Sequence, residues 1–388
     1  MKHNVIQEGA VRPRPPRKRS QAHTGIHPLS PLTHRTQRFQ PLPPPLGEPP
    51  YHYDLETAVP GIGKVAKDAR KLVFHVVGDT GGIKHPEYQM SVAKSMKSDL
   101  NKNENERPNF FYHLGDVIYY NGELNKYYDQ FYEPYDHYQA PIIAIPGNHD
   151  GDPIDSSQTS LDGWVAYFMT ATPHVDPISQ DAPRVTLSLP NVYFTLVCPY
   201  TTIVGMYTNV PEHGSIDSVQ QQWLTNEFAT APKDKSLIVC LHHPIYSFDD
   251  HHSGSPSMAD AVQHAINDSR RMPNIVLTAH VHNYQRIERD IIKDAPSPFI
   301  VAGHGGYYHL HSFNKGVENG TVDDNNGAKL VMCDDKNHGY LTLSVDDKTI
   351  EGSMTTIDKQ TEEGNPDADT FEYSAMALFL EDGITVSL

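Results

Sequence analysis

The sequence has few cysteines and no long apolar run. Its 388 residues include three cysteines, too few for the disulfide framework of a small secreted protein. Cys198 and Cys240 end apolar segments, so we predict buried thiols at both positions. No apolar run approaches the roughly 18 residues of a transmembrane helix, and we therefore expect no membrane span.

Positive charge is also scarce. The chain has 31 Lys and Arg against 48 Asp and Glu, for a formal net charge of −17. The first 40 residues carry eight of the basic residues and one acidic residue, so the remainder is close to −24. A body of that charge repels polyanions, and we expect no nucleic-acid partner. An anionic substrate would need a local source of positive charge.

The first 50 residues differ in composition from the rest. They hold 11 of the 31 prolines and a basic run from Arg12 to Arg19. We predict a disordered, partly polyproline II arm over residues 1–50 and one folded domain over residues 51–388. The arm could bind an anionic surface or a partner, although a solvated tail is the simpler interpretation.

No apolar stretch of about 7–15 residues follows Arg17-Lys18-Arg19, so no secretory signal is recognisable and we expect a cytoplasmic location. Nothing indicates an oligomeric state.

From residue 72 onward, predicted strands alternate with predicted helices. Apolar runs predict strands at 72–77, 110–114, 142–145, 192–198, 237–241, 275–277 and 299–302. Several of them are too continuously apolar for a half-exposed sheet. Helical patterns cover 86–100, 160–169 and 258–266, and a capping box at 217–220 opens a further helix through Phe228. After about residue 303, alternating patterns predict antiparallel strands at 340–345, 349–356 and 375–380.

Five short polar segments contain the candidate metal-ligating residues. They are Gly78-Asp79-Thr80-Gly81, Gly115-Asp116-Val117-Ile118-Tyr119, Gly147-Asn148-His149-Asp150, His242-His243-Pro244 and Ala279-His280-Val281-His282. Most of them follow an apolar run, so their side chains should lie on loops that meet at one edge of a sheet. Taken singly, a Gly-Asp or Gly-Asn pair is most often a turn, and a His-x-His pair is most often not a metal site. Their order and spacing together favour a site for two metal ions.

In this order the segments resemble the metallophosphoesterase, or calcineurin-like phosphoesterase, superfamily, over about residues 72–308. Most of that superfamily opens with Asp-x-His, whereas Gly81 stands two residues after Asp79. Purple acid phosphatases have instead a tyrosine three residues after the bridging aspartate, and Tyr119 stands three residues after Asp116. The segments are therefore most similar to purple acid phosphatases. Ala279 departs from the glycine that usually precedes the last histidine pair.

The resemblance implies an α/β fold, a four-layer α/β/β/α sandwich of two mixed β-sheets flanked by helices, with residues 51–388 as the catalytic domain. It also implies two metal ions bridged by Asp116. The implied ligands of the first ion are Asp79, Asp116, Tyr119 and His282, and those of the second are Asp116, Asn148, His242 and His280. These donors suit Fe(III) at the first site and Zn, Fe(II) or Mn at the second.

Three further histidines are candidates for substrate contact. His149 directly follows Asn148, and His251 lies nine residues after His242, an offset at which purple acid phosphatases have a phosphoryl-contacting histidine. His252 is the rival of His251 for that role. An imidazole can hold a phosphoryl oxygen or protonate a departing alkoxide. With 23 histidines in the chain, a solvated loop residue is the simple alternative for His251.

The implied activity is that of an acid phosphatase with a small phosphate ester as substrate. Phosphate monoesters would be hydrolysed in acid by attack of a metal-bound hydroxide. A phosphodiesterase or nucleotide pyrophosphatase on the same metal core is one alternative. An inactive phosphate-binding or scaffolding protein is another, although the intact ligand set argues against it. Residues 151–189 are expected to form a lid or specificity loop.

Overall fold

The computed structural model describes residues 37–292, 295–381 and 383–388. Most of the predicted arm lies outside these residues. The described part, residues 37–50, lies against the domain. The backbone N–H of Gln40 donates to Asn209 Oδ1 at 2.7 Å, and Trp223 Nε1 donates to the carbonyl oxygen of Pro50 at 2.8 Å. The last residues before position 51 are therefore bound to the domain surface.

The described residues form the following strands and helices. The strands are β1 (His52–Asp54), β2 (Leu72–Val77), β3 (Phe111–His113), β4 (Ile142–Ala144), β5 (Phe194–Val197), β6 (Thr201–Gly205), β7 (Ser236–Cys240), β8 (Arg271–Met272), β9 (Ile275–Thr278), β10 (Tyr284–Ile292), β11 (Ala295–Ala302), β12 (Lys329–Asp334), β13 (Gly339–Val345), β14 (Thr349–Ile357), β15 (Gly364–Ser374) and β16 (Leu378–Phe379). The α-helices are α1 (Leu55–Ala58), α2 (Ile62–Ala69), α3 (Pro86–Asp99), α4 (Asn148–Gly151), α5 (Asp162–Phe168), α6 (Ser218–Thr230) and α7 (Pro256–Ser269).

Most strands belong to two mixed sheets. The first sheet has the order β1-β5-β6-β7-β9-β11-β10-β12, and β6, β7, β9 and β11 run parallel in it. The second has the order β15-β14-β13-β2-β3-β4, in which β2, β3 and β4 are parallel and the later strands are antiparallel. Helix α3 packs against β13 and β14, and α6 packs against α7. The predicted α/β architecture of two mixed sheets flanked by helices is confirmed.

Burial explains why the central strands are so uniformly apolar. Every residue of β2, β3, β4, β6, β7 and β9 is buried, as expected for strands that are covered on both faces. Cys198 and Cys240 are buried free thiols, as predicted. The segment predicted as a lid includes α5, whose Trp164 and Phe168 are fully buried. That segment therefore contributes to the core.

Helix α6 begins at the predicted N-cap but lacks the complete capping box. The Asp217 carboxylate accepts a hydrogen bond from the backbone N–H of Gln220 at 2.8 Å, which is the predicted N-cap. The return bond of a capping box is absent, because the side chain of Gln220 instead bonds both backbone groups of Tyr207 at 3.0 Å. No helix among the described residues is long and apolar enough to cross a membrane.

Candidate metal centre

The five polar segments follow five strands whose carboxyl ends meet between the sheets. The first three segments follow β2, β3 and β4, and the last two follow β7 and β9. Their loops are tied by backbone bonds, such as Asp79 N–H to the carbonyl oxygen of Gly115 at 3.0 Å and Ala279 N–H to that of His242 at 3.0 Å. The seven predicted ligands come together here in two clusters. Asp116 lies between them, and its charge acts on residues of both clusters.

The first cluster consists of Asp79, Tyr119 and His282. The hydroxyl of Tyr119 donates to Asp79 Oδ1 at 2.8 Å and lies 3.2 Å from His282 Nε2. His282 Nδ1 is 3.2 Å from the carbonyl oxygen of His309, which can only accept, so Nδ1 carries the proton and Nε2 is an acceptor. His282 Nε2 and Asp79 Oδ1 therefore face each other as acceptors, 3.5 Å apart. A single phenolic proton cannot satisfy both.

The second cluster consists of Asn148, His242 and His280, with Asp116. His242 Nδ1 lies 2.9 Å from the carbonyl oxygen of Leu114, and that bond directs Nε2 into the cluster. His242 Nε2 is 3.1 Å from Asn148 Oδ1 and 3.3 Å from Asp116 Oδ2. His280 Nδ1 lies 2.9 Å from the same Asn148 oxygen. Asp116, His242 and His280 can each offer one ligand atom within 4.8 Å of the other two.

The buried carboxylates of Asp79 and Asp116 would both be stabilised by nearby positive charge. Burial raises the pKa of Asp79, and the neighbouring Asp116 adds to the rise. Burial alone would lower the pKa of His242, but the carboxylates of Asp116 and Asp79 and the bond to the carbonyl oxygen of Leu114 together outweigh it and raise the pKa to about 9. Asp116 Oδ2 is buried and accepts no hydrogen bond within the described part of the chain. Carboxylate, phenol, amide and imidazole groups that converge in this way fit two metal ions of hard to borderline character.

Three predicted ligands have a backbone conformation that L-residues rarely adopt. The φ angles of Asp79, Asp116 and His280 are 55°, 55° and 66°. Such left-handed residues persist where the surrounding structure holds them, and they are concentrated at functional sites. One such restraint is the bond from His280 N–H to Asp79 Oδ2 at 2.7 Å, which joins the two sheets' loops directly.

Asp150 organises two of the loops, a role that the sequence did not predict. Its buried carboxylate accepts hydrogen bonds from the backbone N–H groups of Val117 at 3.1 Å, Ile118 at 3.0 Å and Gly147 at 2.9 Å. Gly147 is required by close approach, since a β-carbon there would lie 2.1 Å from Asp116 Oδ1. Asp150 thus fixes the loops that present Asp116 and Asn148.

The three histidines predicted to contact substrate lie at different distances from the clusters. The ring of His149 is 4.6 Å from that of Tyr119, and its Nδ1 lies 2.8 Å from the carbonyl oxygen of Tyr120. The ring of His252 is 4.5 Å from that of His280. The side chain of His251 is 51 % exposed and its ring contacts neither cluster, stacking instead on His311. His149 and His252 therefore adjoin the clusters, and His251 stands further out.

Several neighbours of the clusters were not predicted. The ring of Tyr307 lies 4.2 Å from that of His282, and the ring of His311 lies 4.4 Å from it. Glu212 hydrogen-bonds His252. The one available signal was a second His-x-His pair, His309 and His311, which follows the end of β11 by several residues.

Known proteins share this fold. The solved structure of GAP50, "the anchor in the inner membrane complex of Plasmodium", is 15 % identical, with a TM-score of 0.55 over 79 % of this chain and 89 % of that chain. The structure of PhoD is 12 % identical, with a TM-score of 0.50 over 81 % of this chain and 72 % of that chain. A dimetal phosphatase from Danio rerio is 11 % identical, with a TM-score of 0.48 over 78 % and 99 % of the two chains. At these identities the likeness to GAP50 and PhoD concerns the fold alone.

A sequence comparison identifies the family. No curated protein matches the chain significantly. The model of the calcineurin-like phosphoesterase family matches residues 72–284, which is more than half of the chain and includes all seven predicted ligands. The protein therefore belongs to the calcineurin-like phosphoesterase family.

Proposed function

We propose that this protein is a binuclear-metal acid phosphatase that hydrolyses phosphate monoesters, similar to purple acid phosphatases. Membership of the family supports a metal-dependent phosphoester hydrolase. The finer proposal rests on one observation, the hydroxyl of Tyr119, which lies 2.8 Å from Asp79 Oδ1 and 3.2 Å from His282 Nε2. A phenol oxygen in that position supplies the metal ligand that a glycine at position 81 cannot supply.

In this proposal each cluster holds one metal ion. Asp79, Tyr119 and His282 hold the first ion, Asn148, His242 and His280 hold the second, and Asp116 is shared. When bound, the ions supply positive charge for the phosphoryl group and lower the pKa of a water molecule from 15.7 to about 7 or below. Phenolate and carboxylate oxygens are hard ligands, which favours Fe(III) at the first site. The second site, with two imidazoles and an amide oxygen, suits Zn, Fe(II) or Mn.

The shared carboxylate is held in place by the protein itself. Asp116 Oδ1 accepts a hydrogen bond from the backbone N–H of His149 at 2.8 Å. That bond fixes the carboxylate plane and leaves Oδ2 directed at the second cluster, where it lies 3.3 Å from His242 Nε2. A carboxylate has about four lone-pair sites, so one such bond still leaves capacity for two cations.

Histidines beside the clusters would bind the phosphoryl group. We assign this role to His149 and His252, because their rings adjoin Tyr119 and His280 respectively. The side chain of His252 is 17 % exposed, so a substrate can reach it, and its pairing with Glu212 orients the ring. A cationic imidazole can hold a phosphoryl oxygen, and the same group can protonate a departing alkoxide, an effect of roughly a hundredfold to ten-thousandfold in rate.

The test compares two substrates over a range of pH. Protein loaded with iron and zinc is assayed with an aryl phosphate monoester and the matching diester between about pH 4 and about pH 9. We expect a monoester preference with an optimum in acid and loss of turnover in Asp116→Asn. His252→Ala should lower kcat/KM by about a hundredfold or more, whereas His264→Ala, on the exposed face of α7, should leave it unchanged.

Two results would contradict the proposal. A preference for the diester near neutral pH would indicate a phosphodiesterase on the same metal core. Stoichiometric metal and phosphate binding without hydrolysis of either ester would indicate a binding or scaffolding protein.

A further inference from the structure

A further group of side chains that could hold a metal ion lies beside the centre, outside the predicted ligand set. It consists of Asp249, His251 and His311, which we term the mouth site. Each of the three can offer one ligand atom, and these atoms lie within 4.8 Å of one another. The mouth site adjoins the first cluster, because the ring of His311 lies 4.4 Å from the ring of His282.

His311 carries a buried polar atom without a partner. The residue is 6 % exposed, and its Nδ1 makes no hydrogen bond within the described residues. This nitrogen faces Asp249 Oδ1 at 3.6 Å, too far for a hydrogen bond. A buried imidazole nitrogen without a hydrogen bond is unfavourable, and a cation between it and the carboxylate would satisfy the nitrogen.

The other two side chains are already oriented. Asp249 Oδ1 accepts hydrogen bonds from the backbone N–H groups of His251 and His252, both at 2.8 Å. Asp249 Oδ2 accepts one from Asn283 Nδ2 at 2.9 Å. The ring of His251 is paired with the carboxylate of Asp250. Outer hydrogen bonds of this kind are what hold carboxylate and histidine ligands around bound metals.

The two loops that carry the mouth site are fastened to each other and to the metal centre. Asp250 N–H donates to the carbonyl oxygen of Ser312 at 3.0 Å. Asn314 Nδ2 donates to the carbonyl oxygen of Asp249 at 2.8 Å. His311 N–H donates to the carbonyl oxygen of His282 at 2.9 Å. The two loops are thus held together before any ion binds.

We propose that Asp249, His251 and His311 form a third metal site, which takes zinc or a similar divalent transition-metal ion. Two imidazoles and one carboxylate suit such an ion, whereas calcium and magnesium prefer oxygen ligands. Zinc bonds to these donors are about 2.0–2.2 Å long, which places two ligands of a tetrahedral ion about 3.4 Å apart. The 3.6 Å between Asp249 Oδ1 and His311 Nδ1 fits that spacing.

Three protein ligands leave a fourth position of the zinc ion open. The mouth site borders the first cluster, since the ring of His311 lies 4.4 Å from that of His282. A metal ion at the third site would therefore add positive charge beside the centre, in a protein whose formal net charge is −17. The proposal concerns binding alone, and it stands whichever phosphate ester the protein hydrolyses.

Metal counting tests the proposal directly. The full chain is equilibrated with zinc, bound metal per chain is measured by mass spectrometry, and each affinity is measured by titration calorimetry. We expect three ions in the wild type and two in His251→Ala and in His311→Gln, with the third affinity about 100-fold weaker or more, since loss even of an outer partner costs about 10–100-fold. His309→Ala is the matched control. It removes a neighbouring imidazole, 5.7 Å from His311 by ring centroid, which is outside the mouth site, and it should retain three ions.

A zinc-edge anomalous difference map supplies the location. A peak between Asp249, His251 and His311 is expected, and it should persist in Asp116→Asn, so that failure of the two-metal centre and failure of the mouth site give different results. Two ions in the wild type, or three ions retained in both ligand variants, would overturn the proposal. So would a third peak among Glu212, His252 and His280, the neighbouring set of possible ligands.

Discussion

The ring of Tyr119 fills the space that a side chain at Gly81 would need. A β-carbon added to Gly81 would lie 2.7 Å from Tyr119 Cδ2 and 2.5 Å from Gln130 Oε1. The φ angle of Gly81 is not positive, so the conflict arises from the neighbouring side chains and not from the backbone. A histidine at position 81 would thus conflict with both Tyr119 and Gln130, and the chain has glycine there.

Removing the hydroxyl of Tyr119 tests its role as a metal ligand. Tyr119→Phe retains the buried ring and loses the atom that lies between Asp79 and His282. We expect iron-loaded protein to lose its visible absorption and the first site to bind metal at least about tenfold more weakly. Absorption spectroscopy and metal titration measure both effects. Tyr120→Phe is the matched control, because the neighbouring ring is 41 % exposed, and it should keep the colour. Unchanged colour in Tyr119→Phe would rule out the assignment.

Because side chains at positions 81 and 119 compete for space, substitutions at the two positions should have non-additive effects on the free energy of unfolding. Gly81→His should lower the free energy of unfolding by about 1–3 kcal/mol, because the new side chain overpacks the site. Tyr119→Ala in the same chain opens that space, so the double variant should recover part of the loss, with a coupling of at least about 1 kcal/mol. Urea unfolding of the two single variants and the double variant gives the coupling. Simple additivity of the two effects would contradict the steric argument.

Much of the fold was predictable because the central strands are buried on both faces. The apolar run 72–77 has the same bounds as β2, and the predicted strands at 340–345 and 349–356 match β13 and β14 to within one residue. The strand predicted at 375–380 is present only in part, as β16. The long strand β15 precedes it, and only Leu378–Phe379 pairs, with β8. β15 lies at the edge of its sheet and contains Pro366 and several exposed charges, so its sequence lacks the apolar signal.

The predicted ligands lie within a few residues of strand ends, which is where a sequence pattern can locate them. Asp79, Asp116 and His242 lie within three residues of β2, β3 and β7. His311 and Asp249 reach the centre through loops whose path is set by tertiary hydrogen bonds, such as that from Asn283 Nδ2 to Asp249 Oδ2. No local pattern encodes such contacts. The role of Asp150 was missed for a similar reason, since its bonds to the N–H groups of Val117 and Ile118 join loops that are distant in sequence.

Asp150 should be essential for the shape of the centre without binding metal itself. In Asp150→Asn the amide nitrogen would face the backbone N–H of either Ile118 or Gly147, so one buried donor loses its acceptor. We expect a loss of about 2–3 kcal/mol in the free energy of unfolding and metal affinity about 10–100-fold weaker. Chemical unfolding and metal titration measure the two effects. Asp155→Asn changes an exposed carboxylate nearby and should alter stability by less than about 0.5 kcal/mol. Equal behaviour of the two variants would refute the positioning role.

Buried His75 should make the protein less stable in acid. Burial lowers its pKa below the usual 6.5, and the bond to Asp99 at 3.1 Å offsets this only in part. In the unfolded chain His75 takes up a proton near pH 6.5, whereas in the folded protein it stays neutral to lower pH. Its contribution to stability is therefore complete above about pH 6.5 and is lost as the pH falls from there toward the folded pKa, by up to about 1.4 kcal/mol per pH unit. His75→Phe should flatten the dependence of the urea midpoint on pH between about pH 6.5 and about pH 5, and His264→Gln, at an exposed position of α7, should retain the wild-type slope. Identical slopes in all three proteins would mean that His75 is protonated in the folded state.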